Sequence, residues 1–277
     1  MLNKTDLHCH TLYSDGSLSP QQIVERAAQN GVSSLAITDH DCIQAVLDLW
    51  PNRDKLPLTL ISGVEISSSW EGKDIHVIGL NFEPYDQSLQ DFLKQQQQLR
   101  FERAQELMQK LTDKLGILDI EQKLQKISQG YSICRSHFAA LIVEEGKASD
   151  FGKAFSKFLA KGKSCSVKSH WVSTEEAIYH IHQAGGVAVL AHPSRYQLSN
   201  SRTFELIKSF SFAGGKAIEV CYSSLKSQDQ RRLIRIAKEF SLLGSVGSDF
   251  HHPYQTWANL GQVAPLPADI LPIWQNF

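Results

Sequence analysis

The stretch Asp6-Leu7-His8-Cys9-His10-Thr11 reads as a strand whose period of two sends His8 and His10 to one face and Cys9 to the other. Two imidazoles side by side at the C-terminal end of a strand make half of a metal site, although alone they fit ordinary polar residues at a strand end equally well. Ser14-Asp15-Gly16 then sets a carboxylate on a tight turn just past the pair. The pattern recurs outward along the chain. Thr38-Asp39-His40-Asp41 closes the apolar run 34–38, Glu65 ends Gly63-Val64-Glu65, and His76 lies in the next strand. His192 follows the run 186–191, and Ser248-Asp249-Phe250-His251 follows the run 243–247. One histidine in an apolar setting is ordinarily a satisfied polar residue. Ligand-type residues at the ends of strand after strand are instead what a parallel-strand active site presents, because the loops at the C-terminal ends of such strands build it.

Strands alternate with helices around these residues. A strand at 5–10 precedes a helix opened by Pro20 and stopped by Gly31, with Ile23, Val24, Ala27 and Ala28 at helical spacing. A strand at 34–38, a short helix at 43–49 and strands at 58–67 and 75–81 follow, an alternation that predicts a parallel sheet in an α/β fold. From residue 87 the period becomes helical through Leu89, Phe92, Leu93, Leu99, Ala104, Leu107, Met108, Leu111 and Leu115, with Gln95–Gln98 on the wet outer face. More short helices are expected to about residue 158. Alternation returns after Thr174, with helices at 175–184, 202–212 and 228–240 between strands at 186–191, 217–221 and 243–247. The expected division is a catalytic α/β domain made of residues 1–86 and 170–277, and a helical insertion, 87–169, that caps it.

Composition narrows the function. The 277 residues are 42% hydrophobic and 21% charged, the balance of a soluble globular chain rather than a disordered, fibrous or membrane one. A formal charge of −1 gives no global field toward nucleic acid or membrane, so polyanion binding has to come from a local patch. No apolar run approaches the about 20 residues of a membrane span, and no signal-peptide pattern opens the chain. The expectation is a cytoplasmic protein with no membrane and no obligate protein partner. Five cysteines, odd in number and without a C-x-x-C, argue against a disulfide framework or a zinc knuckle.

Taken in order, Asp6-Leu7-His8-Cys9-His10-Thr11 with Ser14-Asp15-Gly16, Thr38-Asp39-His40, Gly63-Val64-Glu65, His76, His192-Pro193 and Asp249-Phe250-His251 resemble the PHP (polymerase and histidinol phosphatase) family of metal-dependent phosphoesterases. Within it the chain is similar to the bacterial branch of nucleoside 3′,5′-bisphosphate phosphatases, also described as 5′-to-3′ exoribonucleases. Members of that branch carry a helical insertion with a segment like Arg135-Ser136-His137 and a stretch like Phe158–Lys163. The resemblance implies a distorted seven-stranded (β/α) PHP barrel holding three divalent metal ions, Mn, Fe or Zn. It implies one ion on His8, His10, Glu65 and Asp249, a second on Glu65, His76 and His137, and a third on Asp15, His40, His192 and His251. Glu65, Asp249, Arg135 and His192 are the expected catalytic residues, with Asp39 and Asp41 orienting ligands.

Charge then speaks to the substrate. Three divalent ions carry about +6, and Asp15, Glu65 and Asp249 return about −3, the histidines being neutral as ligands. A hydroxide leaves about +2 and Arg135 adds one, a site for a multiply charged anion; a neutral amide would leave that charge unmatched. The expected reaction is hydrolysis of the 5′-phosphates of small nucleotides, nucleoside 3′,5′-bisphosphates foremost, and of short 5′-phosphorylated RNA. The rivals are a phosphatase for a metabolite such as histidinol phosphate, an amidohydrolase, and a non-catalytic nucleic-acid-binding or stabilising PHP module. Lys153, Lys157, Lys161, Lys163 and Lys168, with no acid among them, read as a solvated face or as a basic lip whose Lys161 and Lys163 contact substrate. Arg195, two residues past Pro193, is a further candidate contact. His170, His180, His182 and His252 read as bystanders, and Trp171 as a packing residue before a base-stacking one.

Overall fold

The structure is a computed structural model and describes residues 4–277. It is α/β, with eight strands in two sheets among the described residues. The first sheet is parallel and holds β1 (Lys4–Asp6), β2 (Val32–Ala36) and β3 (Thr59–Ile61). The second takes β4 (Gly63–Trp70), β5 (Lys73–Leu80), β6 (Val187–Leu190), β7 (Ala217–Tyr222) and β8 (Leu243–Gly247) in that spatial order. The expected count of seven strands and the all-parallel reading both give way here, since β5 runs antiparallel to β4 and to β6. The cause is local. Glu71 and Gly72 both have positive φ, at 46° and 71°, the type I′ geometry of a two-residue hairpin. Trp70-Glu71-Gly72-Lys73 therefore folds the chain straight back, and Glu65 falls inside a strand rather than at its end.

The expected strand 58–67 is also split, because the chain changes sheet at Ser62. Gly63 permits the change: a Cβ there would stand 2.6 Å from the Ile37 carbonyl oxygen. The two sheets are stitched at both edges by backbone hydrogen bonds that continue the ladders past the strand ends. Leu7 N donates to Val246 O at 3.0 Å, Asp249 N to His8 O at 2.8 Å and His10 N to Phe250 O at 2.9 Å. At the other edge Glu65 N donates to Asp39 O at 3.2 Å and Asp41 N to Glu65 O at 2.9 Å. Segments 7–10, 38–41 and 246–250 are thereby held as rigidly as strands, and these segments carry the histidines and carboxylates singled out above.

Helices cover the outer faces. α1 (Pro20–Gln29) starts with a reciprocal capping box between Ser19 and Gln22, and α2 (Gln44–Leu49) follows β2. α3 (Gln87–Leu115), α4 (Ile120–Ile127), α5 (Arg135–Glu144) and the short α6 (Phe151–Ala154) lie between β5 and β6 with no strand among them. α7 (Thr174–Gln183), α8 (Asn200–Phe212) and α9 (Ser227–Glu239) alternate with the later strands. One buried cluster joins Ile66, Val77, Ile178, Leu190, Val220 and Leu233; a separate one joins Leu107, Leu111, Leu124, Phe138, Ile142 and Leu159. α3, with 29 residues, is long enough to serve both: Leu89, Phe92 and Leu93 enter the first cluster, Leu107 and Leu111 the second. No helix among the described residues is long and apolar enough to cross a membrane.

Because Leu111 is fully buried in the second cluster, Leu111→Ala should lower the unfolding free energy by about 2–5 kcal/mol, read from the urea midpoint at unchanged slope.

Candidate metal centre

Glu65, third residue of β4 and 1% exposed, is the hub. Its Oε1 lies 2.9 Å from His76 Nδ1, 3.0 Å from His192 Nε2 and 3.4 Å from His8 Nε2. Its Oε2 lies 3.0 Å from His40 Nδ1 and 3.4 Å from His10 Nε2. Asp249 Oδ1 stands 3.3 Å from both His8 Nε2 and His10 Nε2. Asp15 Oδ1 is ringed by His251 Nε2 at 3.3 Å, His40 Nε2 at 3.7 Å and His10 Nδ1 at 3.8 Å. Neighbouring sequence motifs thus become one continuous cluster.

The donor set fits divalent cations. Four groups of side chains each bring one ligand atom within 4.8 Å of the others: His8, His10 and Asp249; His8, Glu65 and His192; His40, Glu65 and His76; His10, Asp15, His40 and His251. Asp15 Oδ1 is buried yet accepts no hydrogen bond, an orphan that a cation would satisfy. The donors are imidazole and carboxylate without thiolate, a set suited to Mn, Fe or Zn. Burial alone would raise the carboxyls of Glu65, Asp15 and Asp249, but the surrounding imidazoles outweigh it and hold all three well below their ordinary range. Burial would likewise depress His251, yet Asp15 and Asp249 lift it to about 9. Three ionised carboxylates so nearly buried demand positive charge beside them.

The backbone and a further layer of side chains aim these ligands. His192, Asp249 and Asp41 all have positive φ, at 28°, 52° and 52°, a strained conformation that tends to gather at functional sites. Glu219, buried in β7, receives His8 Nδ1 at 3.0 Å and accepts the His192 backbone N–H at 2.6 Å, which leaves His8 Nε2 free for a ligand. Gly247 lets β8 pass this pair, since a Cβ there would stand 2.2 Å from His8 Cβ and 2.7 Å from Glu219 Oε1. Asp39 orients His10 indirectly: it accepts from Ser14 Oγ at 2.6 Å, and that hydroxyl lies 3.3 Å from His10 Nδ1. Asp41 accepts from Ser67 N at 2.7 Å and from Arg100 of α3.

His8, His10, Asp15, His40, Glu65, His76, His192, Asp249 and His251 are all brought together. The expected partition changes in two places. His192 gathers with His8 and Glu65 rather than with Asp15, His40 and His251, and His137 joins none of the four groups. Its Nδ1 instead accepts the Cys134 N–H at 3.0 Å, capping α5, and burial takes the ring down to about 4. The neighbouring Ser136 is the residue of that helix that touches the cluster, donating to Asp15 Oδ2 at 2.7 Å.

The cluster opens into a cleft of about 850 Å³ whose walls include Arg100, Arg103, Arg135, Arg195, Trp171 and Trp257. Arg195 donates to Asp249 Oδ2 and, at 3.1 Å, to Ser223 O. Arg135 donates to Leu159 O at 3.2 Å with its guanidinium over the Phe155 ring. Lys161 donates to Gly72 O at 3.2 Å, and neither Lys161 nor Lys163 lines the cleft. Trp171 is buried and packs against the guanidiniums of Arg100 and Arg103. The Gln95–Gln98 run is not wholly outward: Gln96 is buried and donates to Ser67 O at 2.6 Å. Sequence reasoning missed Glu219, Arg100 and Arg103. A lone acid in the apolar run Ala217-Ile218-Glu219-Val220-Cys221 was the available signal for the first.

Residues 6–182 match the PHP domain family. The chain belongs to the PHP family. This PHP chain is 40% identical to a 5′-3′ exoribonuclease of Haemophilus influenzae over the full length of both. It is 35% identical to a 3′,5′-nucleoside bisphosphate phosphatase of Chromobacterium violaceum, over 98% of this chain and 95% of the relative. A solved structure from the same organism, described as an amidohydrolase with bound sulfate and no metal, superposes with a TM-score of 0.91 at 34% identity, covering 99% of this chain and 95% of that one. Family membership and the converging donors make this PHP chain a metal-dependent phosphoester hydrolase.

Glu219→Gln keeps the shape but loses the charge facing His8, so manganese affinity, measured by calorimetric titration, should fall roughly 10- to 100-fold with an unchanged circular dichroism spectrum. Gly247→Ala should cut metal content as well, because the new methyl group has to displace His8.

Proposed function

We propose that this PHP enzyme hydrolyses the 5′-phosphate esters of small nucleotides, nucleoside 3′,5′-bisphosphates foremost, and removes nucleotides stepwise from short 5′-phosphorylated RNA. The observation that carries this reading is the pairing of a carboxylate–imidazole cluster with a cleft walled by Arg100, Arg103, Arg135 and Arg195. Such walls suit an anion with more than one phosphate and have no use for a neutral amide. The named activities of the 40% and 35% identical relatives point the same way. The non-catalytic alternative is marked by decayed ligand positions, and nine donors are present here.

Three ions of Mn, Fe or Zn would be held by His8, His10 and Asp249 with Glu65, by Glu65, His76 and His192, and by Asp15, His40 and His251. When bound, they supply Lewis acidity and bring a coordinated water to a lower pKa. Glu65, facing His8, His76 and His192 with one oxygen and His10 and His40 with the other, would contribute to two of these sites. Asp249 faces His8 and His10 and is steadied by Arg195. Arg195 and Arg135 reach the phosphate oxygens and stabilise their charge as water oxygen bonds to phosphorus and the ester P–O bond breaks. The proton from water ends on the ester oxygen that leaves, the nucleoside 5′-oxygen for a phosphate monoester and the ribose 3′-oxygen when a nucleotide is released from RNA. Glu219 and Ser14 keep the imidazole tautomers fixed throughout. In this reading the two stitched sheets act as a distorted barrel and residues 87–169 as its cap. Five free cysteines suit a reducing cytoplasm.

The enzyme purified with Mn²⁺ should release phosphate from adenosine 3′,5′-bisphosphate in preference to adenosine 5′-monophosphate, shorten a 5′-phosphorylated RNA from its 5′ end, and lose all three activities to a chelator. Silence on all three substrates overturns the nucleotide reading and favours another phosphorylated metabolite. Asp249→Ala should lower turnover by roughly a hundredfold or more; normal turnover in that variant removes Asp249 from the metal centre.

A further inference from the structure

β5 and β6 pair antiparallel from Leu80 with Val187 down to Val77 with Leu190, and the next pair in that register is His76 with Ala191. A hydrogen-bonded pair in such a ladder exchanges both of its N–H···O bonds. At this pair one bond is direct, with Ala191 N donating to His76 O at 3.1 Å. The other is routed through a side chain. His76 N donates to the Tyr196 hydroxyl at 2.9 Å, and that hydroxyl donates to Ala191 O at 2.8 Å. Tyr196 arrives there because the short turn Pro193–Tyr196 brings the chain back beside the strand end it has just left. The N–H belongs to the peptide group that precedes His76, and the carbonyl to the peptide group that precedes His192. Glu219 Oε2 accepts the N–H of that second peptide at 2.6 Å, so the group is gripped on both sides and the φ of His192, 28°, is fixed with it. The Tyr196 ring also meets the His192 ring edge-on, with centroids 5.4 Å apart. His76 Nδ1 and His192 Nε2 reach the same atom, Glu65 Oε1, at 2.9 Å and 3.0 Å.

We propose that Tyr196 is a positioning residue of the metal centre: its hydroxyl, inserted where the β5–β6 ladder would otherwise close, sets the separation and aim of His76 and His192 on the ion site they share with Glu65. The inference rests on the reading that these three residues hold one ion. Tyr196 is not among the residues that wall the cleft and packs on the main apolar cluster instead, so it acts through the ligands and not on substrate. Removing the hydroxyl while keeping the ring leaves His76 N–H and Ala191 O facing the gap that it filled. Either they close on one another and draw His76 toward His192, or they stay unpaired and the peptide before His192 loses one of its two holds. Both outcomes shift an imidazole relative to Glu65 Oε1. The ion sites built on His8, His10 and Asp249 and on Asp15, His40 and His251 keep their donors, because none of those residues touches the hydroxyl.

The full chain carrying Tyr196→Phe is freed of metal and titrated calorimetrically with Mn²⁺ beside wild type and His76→Ala. One class of site should weaken by about tenfold while the others keep their affinity, with an unchanged circular dichroism spectrum; the titration needs no substrate, so it stands whatever the enzyme hydrolyses. The manganese concentration for half-maximal hydrolysis of adenosine 5′-monophosphate should rise by a similar factor, with turnover restored at saturating metal. Adding Tyr196→Phe to His76→Ala should weaken manganese binding less than it does in the wild-type chain. Unchanged affinity at every site overturns the positioning role. So does an equal loss at all sites, or a turnover deficit that excess manganese does not relieve, since a general folding defect produces both. His76→Ala with undiminished manganese binding removes the shared ion and the proposal with it, whereas a normal Tyr196→Phe beside a defective His76→Ala removes the proposal alone. In the metal-free wild type, amide exchange followed by NMR should find His76 N–H protected to the extent of Ile78 N–H in the same strand. Rapid exchange at His76 overturns the bridge whether or not any variant folds.

Discussion

Three nearly buried carboxylates that stay ionised govern the rest of this molecule. Glu65, Asp15 and Asp249 sit where burial works against charge, and each is kept ionised by imidazoles within about 4 Å. A charged group in that position is tolerated only where cations or donors are held in register around it. The cluster therefore needs a scaffold that cannot relax. It gets one from ladders that run past the strand ends at both edges of the two sheets, so that segments 7–10, 38–41 and 246–250 are pinned by their own backbones. The strained φ values of Asp41 and Asp249 persist because those hydrogen bonds over-determine them, and that of His192 because Glu219 holds its backbone N–H.

The ligands were legible in the sequence because each lies next to a local signal, an apolar run followed by a polar break. His8 and His10 betray themselves by spacing, and Asp249 and His251 by following an apolar strand. What was not legible is which ligands share an ion. That depends on how strands neighbour one another in space: the grouping implied by the family resemblance set His192 with Asp15, His40 and His251 and His137 with Glu65 and His76, whereas in the fold His192 gathers with His8 and Glu65, and His137 with none of the four groups. The hairpin was missed for a simpler reason. Glu71-Gly72 carries a short signal between two runs that otherwise look like parallel strands, and only positive φ at both residues fixes the direction of the second. Glu219 and Arg100 were hidden because each is a lone polar residue in an apolar or helical pattern, whose partner is more than a hundred residues away in one case and 59 in the other. The basic run 153–168 misled in the opposite sense: charge density along the chain does not say which way the side chains face, and Lys161 and Lys163 stay out of the cleft.

The helical segment is more than a cover. Arg100 reaches Asp41 beside His40, and Ser136 donates to Asp15, so two of the residues that tune the metal cluster come from helices between β5 and β6. Arg103 and Arg135, which converge on Asp74, come from the same two helices. Along α3, Gln96, Arg100 and Arg103 occupy neighbouring positions on one face where the helix passes from the first apolar cluster to the second. A polar stripe at that crossing costs packing that leucines would supply. It is kept in exchange for contacts to β4, to the loop after β2 and to β5, the three places where ligands are set. Movement of α3 relative to the strands would therefore disturb Asp41, Ser67 and Asp74 together.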